Sequence, residues 1–441
     1  MAEEFDLVIR AARVAAGGTE TPAVIGAAAG RIAAIRPPGA AAAAPRVIDL
    51  GDDTVLLPGL VDSHVHMCDP GHADWEGFAT ATRAAAAGGI TTLVDMPLDS
   101  VPVTVSPAAL QAKRRAAAGR CHVDVGFWGG AIPGNLADLG PLHDAGVLGF
   151  KCFLADSGSA DFPPLGVREL AAALGVARGL GAPLLVHAES AEAAAAGLAG
   201  GPRYADYLAA RPRGLENLAI AQVIEAARAT GGLAHVVHLS SSDAVPMLAT
   251  AQRDGVRVTA ESCPHYLTLA AEEIADGDTA AKCSPPVREA ANRELLWDAL
   301  RSGVIGMVVS DHSPCLPAMK THDLGAAWGG ISSLQLGLSL VWTQARPRGF
   351  SLSDVVTWMA RRPADLAGLR RKGRIAVGYD ADFAVFAPDA DFTVDPARLH
   401  HRHPVTPYAG RRLRGVVRGT LLRGEPVDPA RPRGHLLTRA S

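Results

Sequence analysis

The chain of 441 residues lacks the features that mark several protein classes. Its six cysteines include no C-x-x-C pair, which excludes a zinc ribbon or a thioredoxin-type redox motif. The 42 Lys and Arg residues are nearly balanced by 45 Asp and Glu residues, so the net charge of −3 predicts neither a nucleic-acid nor an anionic-membrane partner. No apolar run reaches the length of about 18 residues that a transmembrane helix needs. The first residues, MAEEFDLVIR, lack a basic segment followed by an apolar one, so we expect a cytoplasmic protein with unpaired thiols.

Short apolar runs alternate with alanine-rich helical stretches through the middle of the chain. Continuous apolar strands that alternate with helices indicate a parallel sheet covered on both faces. Eight such units predict an α/β protein with a TIM-type (β/α)8 barrel. The eight runs are 60–66, 90–96, 122–128, 147–153, 183–189, 234–240, 256–262 and 304–311.

Both ends of the chain contain short β-like runs separated by turns. The sequence therefore predicts that residues 1–55 and 370–441 join in one small β-sandwich domain, beside a barrel domain formed by residues 56–369.

Two His-x-His pairs are candidates for metal ligands. His64 and His66 lie in the first barrel strand, where residues two apart point to the same side. Because the chain has fifteen histidines, this spacing alone is weak support. The second pair, His401 and His403, has no comparable strand around it, and we interpret it as polar surface.

Four further polar residues lie at the ends of other barrel strands: Lys151, His187, His238 and Asp311. Each alone has a structural explanation, such as a capping Asp or a Lys that extends to water. Together with the first pair they would meet at the carboxyl-terminal rim, where TIM barrels bind substrate. Imidazoles and a carboxylate suit divalent metals. A lysine fits such a site only after it loses its charge, and carboxylation by CO2 would turn it into a bridging anion.

The motifs along nearly the whole chain resemble those of the cyclic amidohydrolases. They include PGLVDSHVH (58–66), AGGITTLVDMP (87–97), GFKCF (149–153), HLSS (238–241), ESCPHYL (261–267) and SDHSPC (310–315). The resemblance implies two divalent metal ions per subunit, zinc first and cobalt, manganese or iron as alternatives, bridged by a hydroxide and by a carboxylated Lys151. It also implies a homotetramer. Carried over by position, His64, His66 and Asp311 would hold one metal, and His187 and His238 the other.

Within this family the chain is most similar to the allantoinases. Cys68 and Leu98 stand where dihydroorotases carry the Arg and Asn that hold a substrate carboxylate. Residues 154–158, LADSG, lack the Tyr that follows the bridging Lys in hydantoinases and dihydropyrimidinases. The resemblance implies hydrolysis of the cyclic amide of allantoin to allantoate, with Asp311 as catalytic base. A hydantoinase or dihydropyrimidinase remains the alternative.

Two serines are candidates for contacts with the substrate. Ser284 is assigned by analogy with the family, but it also fits as a turn residue before two prolines. Ser313 follows Asp311 closely and would offer its hydroxyl to a ureide group.

Overall fold

A computed structural model describes residues 5–16, 18–191 and 200–439. The chain begins with five strands, in which β-branched and aliphatic residues are separated by short turns. They are β1 (Leu7–Ala15), β2 (Glu20–Ala28), β3 (Arg31–Arg36), β4 (Arg46–Leu50) and β5 (Val55–Pro58).

Nine short strands follow, and their pairing is parallel throughout. They are β6 (Leu60–Val65), β7 (Ile90–Asp95), β8 (Asp124–Phe127), β9 (Gly129–Gly130), β10 (Phe150–Phe153), β11 (Leu184–His187), β12 (Ala234–Val236), β13 (Val258–Ser262) and β14 (Met307–Val308). Each of the eight apolar runs predicted from the sequence contains one of these strands. The ninth strand, β9, follows β8 directly in the chain.

The strands close on themselves at two seams. At one seam Leu148 N donates to Phe127 O at 2.9 Å, which links β8 to the segment that enters β10. At the other, His66 N donates to His312 O at 2.9 Å, beside a parallel bridge between Val65 and His312. The predicted TIM-type barrel is therefore confirmed.

Helices cover the outside of the barrel where the sequence predicts them. The Ser106 side chain caps α2 (Pro107–Ala117) by accepting a hydrogen bond from Ala109 N at 3.3 Å, and Gly231, with φ of 68°, ends α6 (Arg213–Thr230). A π-helical turn, Thr357–Arg361, connects the last two helices. The helices are α1 (Phe78–Ala87), α2 (Pro107–Ala117), α3 (Leu139–Asp144), α4 (Val167–Gly179), α5 (Tyr204–Ala210), α6 (Arg213–Thr230), α7 (Val245–Arg253), α8 (Pro264–Thr268), α9 (Ala290–Arg301), α10 (Gly337–Ala345), α11 (Leu352–Val356) and α12 (Arg362–Leu366).

The two ends of the chain share one sheet, as the sequence predicts. The last strands are β15 (Phe383–Thr393), β16 (Arg412–Leu422) and β17 (Glu425–Pro426). The order is β17-β16-β15-β5-β1-β2-β3, with β4 on the side of β1. Leu7 and Ile9 of β1 pack into one apolar cluster and Val8 into another, because successive side chains point to opposite faces of a strand.

A buried ion cluster connects this sheet to the barrel. Lys372 Nζ lies 2.6 Å from Asp124 at the start of β8, 2.7 Å from Asp382 and 2.9 Å from Asp380. The ammonium therefore stands among three carboxylates that would otherwise repel one another.

None of the helices in the described residues has both the length and the apolar composition needed to cross a membrane. All six cysteines are free and buried.

Candidate metal centre

The six metal-ligand candidates from the sequence line one cavity of about 630 Å³ at the carboxyl ends of the barrel strands. Each side chain lies in a strand or within a few residues of a strand end, because this end of every parallel strand faces the same rim. All six are buried: His64, His66, Lys151, His187, His238 and Asp311.

One group of ligand atoms converges on Asp311. Its Oδ1 atom lies 3.1 Å from His64 Nε2 and 3.7 Å from His66 Nε2. Burial by itself would raise the pKa of Asp311, but the neighbouring His64 outweighs it and holds that pKa well below its usual range. Asp311 is therefore ionised at neutral pH.

A second group consists of two imidazoles. His187 Nδ1 lies 2.9 Å from His238 Nε2, and the two rings meet edge to face. The His187 ring also stacks on Phe153, with ring centroids 4.5 Å apart, which fixes its plane.

Two residues at this rim have strained backbones. His238 has a φ of 41° and Asp311 a φ of 46°, values that residues other than glycine rarely adopt. Such strain costs about 1–3 kcal/mol per residue and persists only where surrounding structure holds it, often at active sites.

Carboxylates face the far nitrogens of three imidazoles. His64 Nδ1 lies 2.6 Å from Glu261, and His187 Nε2 lies 2.9 Å from Glu189. His66 Nδ1 lies 2.8 Å from Asp99. A carboxylate in this position holds a proton on the far nitrogen and leaves a lone pair on the other, which is the usual environment of a metal-binding histidine.

No role was predicted from the sequence for Glu261, Glu189 or Asp99. Glu261 lies inside the quoted motif ESCPHYL, Glu189 lies two residues after the candidate ligand His187, and Asp99 lies two residues after the motif AGGITTLVDMP (87–97). An acidic residue in or near a motif was the sequence signal that could have pointed to these three carboxylates.

Lys151 lies in β10 with its side chain enclosed. Burial lowers its pKa to about 8, and its Nζ lies 4.8 Å from the centre of the Phe153 ring. A lowered pKa leaves a larger fraction of the amine neutral and nucleophilic, as a reaction with CO2 requires.

The two predicted substrate-contact serines line the same cavity. Ser284 Oγ lies 3.1 Å from Tyr207 Oη, and Ser313 N donates to Ile331 O at 3.1 Å. Lys320 supports the adjacent wall by donating to the carbonyl oxygens of Trp328 at 2.9 Å and Gly330 at 2.6 Å.

The interpretation of the pair His401 and His403 as polar surface is wrong for His401. That side chain is buried, and its ring centre lies 5.7 Å from that of His312. His403 is partly exposed and contacts Asp74 O at 2.7 Å. The loop 400–405 folds back onto the barrel beside Glu76, whose carboxylate accepts hydrogen bonds from Arg402 N. The spacing of residues along the sequence does not predict this path of the loop.

The cluster fits a metal site by its chemistry as well as its geometry. His64, His66 and Asp311 each offer one ligand atom within 4.8 Å of the others. Nitrogen and carboxylate donors of this kind suit borderline divalent ions.

A barrel with buried imidazoles and a carboxylate around a rim cavity has the architecture of metal-dependent hydrolases. The profile of the amidohydrolase family matches residues 55–427. An allantoinase of Streptomyces avermitilis is 56% identical over 442 residues, covering 99% of each chain. An allantoinase of Arabidopsis thaliana is 48% identical over 401 residues, covering 87% of this chain and 79% of the other.

The solved structure of an L-hydantoinase (dihydropyrimidinase) from Arthrobacter aurescens superposes with a TM-score of 0.92 at 31% identity. It covers 99% of this chain and 100% of that one. The chain belongs to the amidohydrolase family. Membership implies a binuclear metal site, and the buried His and Asp groups are able to bind metal.

Proposed function

We propose that this protein acts as an allantoinase, which hydrolyses the ring amide of allantoin to give allantoate in purine degradation. The observation that carries this proposal is the 56% identity, along 99% of both chains, to a protein named allantoinase. The cavity supports it, because its size of about 630 Å³ suits a small organic substrate.

We assign His64, His66 and Asp311 to one metal ion, and His187 and His238 to the other. The convergence of the first three on Asp311 Oδ1 and the 2.9 Å approach of the other two support this division. Lys151, carboxylated on Nζ, would bridge the two ions, and its burial and lowered pKa of about 8 support that assignment. Zinc is the first choice of metal, and cobalt, manganese or iron would also suit these donors.

Bound metal ions would supply Lewis acidity, which makes water more acidic and polarises a carbonyl oxygen. Asp311 is ionised and faces the cavity, so it would take the proton of the attacking water and return it to the leaving ring nitrogen. The ring carbon changes from planar to tetrahedral during this attack, and the amide C–N bond then breaks.

The polar wall of the cavity would bind a neutral substrate that is rich in hydrogen-bond donors. The Ser284 and Ser313 hydroxyls line the cavity, where ureide N–H and C=O groups would meet them. Leu98 also lines it, at the place where a carboxylate-binding Asn is expected in dihydroorotases. An apolar side chain there suits a substrate without a carboxylate.

A hydantoinase or dihydropyrimidinase activity is the second candidate, favoured by the similarity to the Arthrobacter aurescens structure. The loop after β10 argues against it, because Ala155, Asp156, Ser157 and Gly158 line the cavity and include no Tyr.

The deciding experiment measures turnover of allantoin, hydantoin and dihydrouracil after chelator treatment, with and without added divalent metal. We expect metal-dependent formation of allantoate and a clear preference for allantoin. A preference for hydantoin or dihydrouracil would assign the second candidate instead.

Two further features of the protein belong to this proposal. We infer a homotetramer, which sedimentation analysis tests directly. We also propose that residues 1–55 and 370–441 form the small domain and residues 56–369 the catalytic domain.

A further inference from the structure

Asp99 differs from the other carboxylates that face the imidazoles of the metal centre. Glu261 is fully buried and also contacts His235 at 2.9 Å, and Glu189 is buried and paired with Arg211 at 2.9 Å. Each of these two carboxylates is therefore held by a second side chain in addition to its imidazole. Among the described residues, His66 is the only group whose contact with the Asp99 carboxylate is close enough for an ion pair.

Asp99 also belongs to the wall of the reaction cavity, which it lines together with Leu98. Its φ of 59° is in the left-handed region, which residues other than glycine rarely adopt and which often marks functional sites. About 10% of its side chain remains exposed, compared with 0% for Glu261. One carboxylate thus contacts both a proposed metal ligand and the space for the substrate.

The contact with His66 acts through charge. Asp99 Oδ2 lies 2.8 Å from His66 Nδ1, but the ring nitrogen has no aligned hydrogen bond. A negative oxygen this close favours a proton on Nδ1 and repels a lone pair there. The lone pair of His66 is therefore placed on Nε2, the atom that faces Asp311 at 3.7 Å.

We propose that Asp99 is a positioning residue for His66 and also determines substrate specificity. It holds His66 in the tautomer that binds metal, and its negative charge in the cavity wall disfavours cyclic amides that carry a carboxylate. The inference rests on the proposed function, because it takes His66 as a metal ligand and a cyclic amide as the substrate.

Metal retention tests the first part. The variants are Asp99→Asn, which keeps the shape of the side chain but removes its charge, and Asp99→Ala, which removes both. Asp156→Ala is the matched control, because this exposed carboxylate lines the cavity and its contact is with Gly158 N at 2.9 Å. Each purified holoenzyme is treated with a chelator, and bound metal per chain is measured by elemental analysis, with thermal unfolding as a check of the fold.

We expect the alanine variant to bind metal roughly 10–100-fold more weakly, as for other lost partners of metal-binding histidines. Because the contact acts through charge, the asparagine variant should lose metal affinity to a similar extent as the alanine variant, and the control should match the parent. Equal retention in the parent and in Asp99→Ala would overturn the positioning role, and so would parent-like retention in Asp99→Asn.

Substrate selection tests the second part, with allantoin as the neutral substrate and dihydroorotate as the anionic one. Asp99→Asn should raise the ratio of kcat/KM for dihydroorotate over that for allantoin by about tenfold, since removal of one repulsive charge is worth roughly 1.4 kcal/mol. An unchanged ratio would overturn the specificity role. A parent protein that binds metal but leaves allantoin intact would instead contradict the proposed function, and the metal-retention result would still stand.

Discussion

His187 Nδ1 lies 2.9 Å from His238 Nε2, although 51 positions separate the two residues in the chain. Glu189 faces the other nitrogen of His187 and holds a proton there, so the Nδ1 atom of His187 carries a lone pair. The His238 Nδ1 atom is buried and has no hydrogen-bond partner among the described residues. Two imidazoles arranged in this way could share a cation, which supports their proposed assignment to one metal ion.

Replacement of Lys151 by Ala should abolish binding of the metal pair, because it removes the group proposed to bridge the two ions. Metal content per chain should fall from about two ions, with a matching loss of allantoin hydrolysis, and short carboxylates in the buffer should restore part of both.

The control for Lys151→Ala is the double variant His401→Ala with His403→Ala. Its metal content should be unchanged, although the buried His401 makes some loss of stability expected. Full activity with two metals in Lys151→Ala would contradict the bridging role, and a halved metal content in the double variant would mean that the wrong His-x-His pair was assigned.

Asp311→Asn should reduce kcat by about 10²–10⁴-fold, the range typical of a lost general acid–base group. KM should change little, since the amide keeps the shape of the side chain. Steady-state kinetics on allantoin gives both values, and metal analysis of the same sample accounts for any lost ion. An increase in KM alone would exclude Asp311 as the base.

Lys372→Met should destabilise the folded protein by about 3–5 kcal/mol, because it removes the ammonium that the buried Asp382 and Asp124 share, and of these two Asp124 keeps a contact with Arg423 at 2.7 Å. Urea unfolding measures this free energy. The control is Arg412→Ala, which breaks an ion pair whose arginine side chain is 77% exposed and should cost no more than about 1 kcal/mol. Similar losses in the two variants would contradict the importance of the buried cluster.

Glu216 should make stability fall as the pH rises. Burial raises the pKa of this carboxyl to about 7, while Ser240 N and Ser241 N donate to it at 2.8 Å and 2.9 Å. Because the folded pKa lies above the unfolded one, the contribution is fully present below about pH 4.5 and is lost as the pH rises through about 7. A shift of this size is worth about 3 kcal/mol.

The measurement compares the free energy of unfolding in urea across this pH range for the parent and for Glu216→Gln, which cannot titrate. The pH dependence should be weaker in the variant. Parallel curves for the two proteins would show that Glu216 does not titrate in the folded state.

Local sequence patterns were enough to predict the barrel and the residues of the candidate metal centre. Apolar runs that alternate with helical stretches are local patterns, and parallel strands bring their carboxyl ends to one rim wherever the helices lie. His64, Lys151 and His187 could therefore be placed together without coordinates. Strand-like runs at both ends predicted that the two ends join in one small β-sandwich, and in the structure their strands share one sheet.

The groups that surround these candidate ligands became visible in the folded protein. His64 meets Glu261 across 197 positions, and Asp99 meets His66 through a single left-handed residue in a loop. His401 is buried because its loop returns to the barrel beside Glu76. Such contacts depend on rotamers and loop paths set by packing over the whole chain, so no local pattern encodes them.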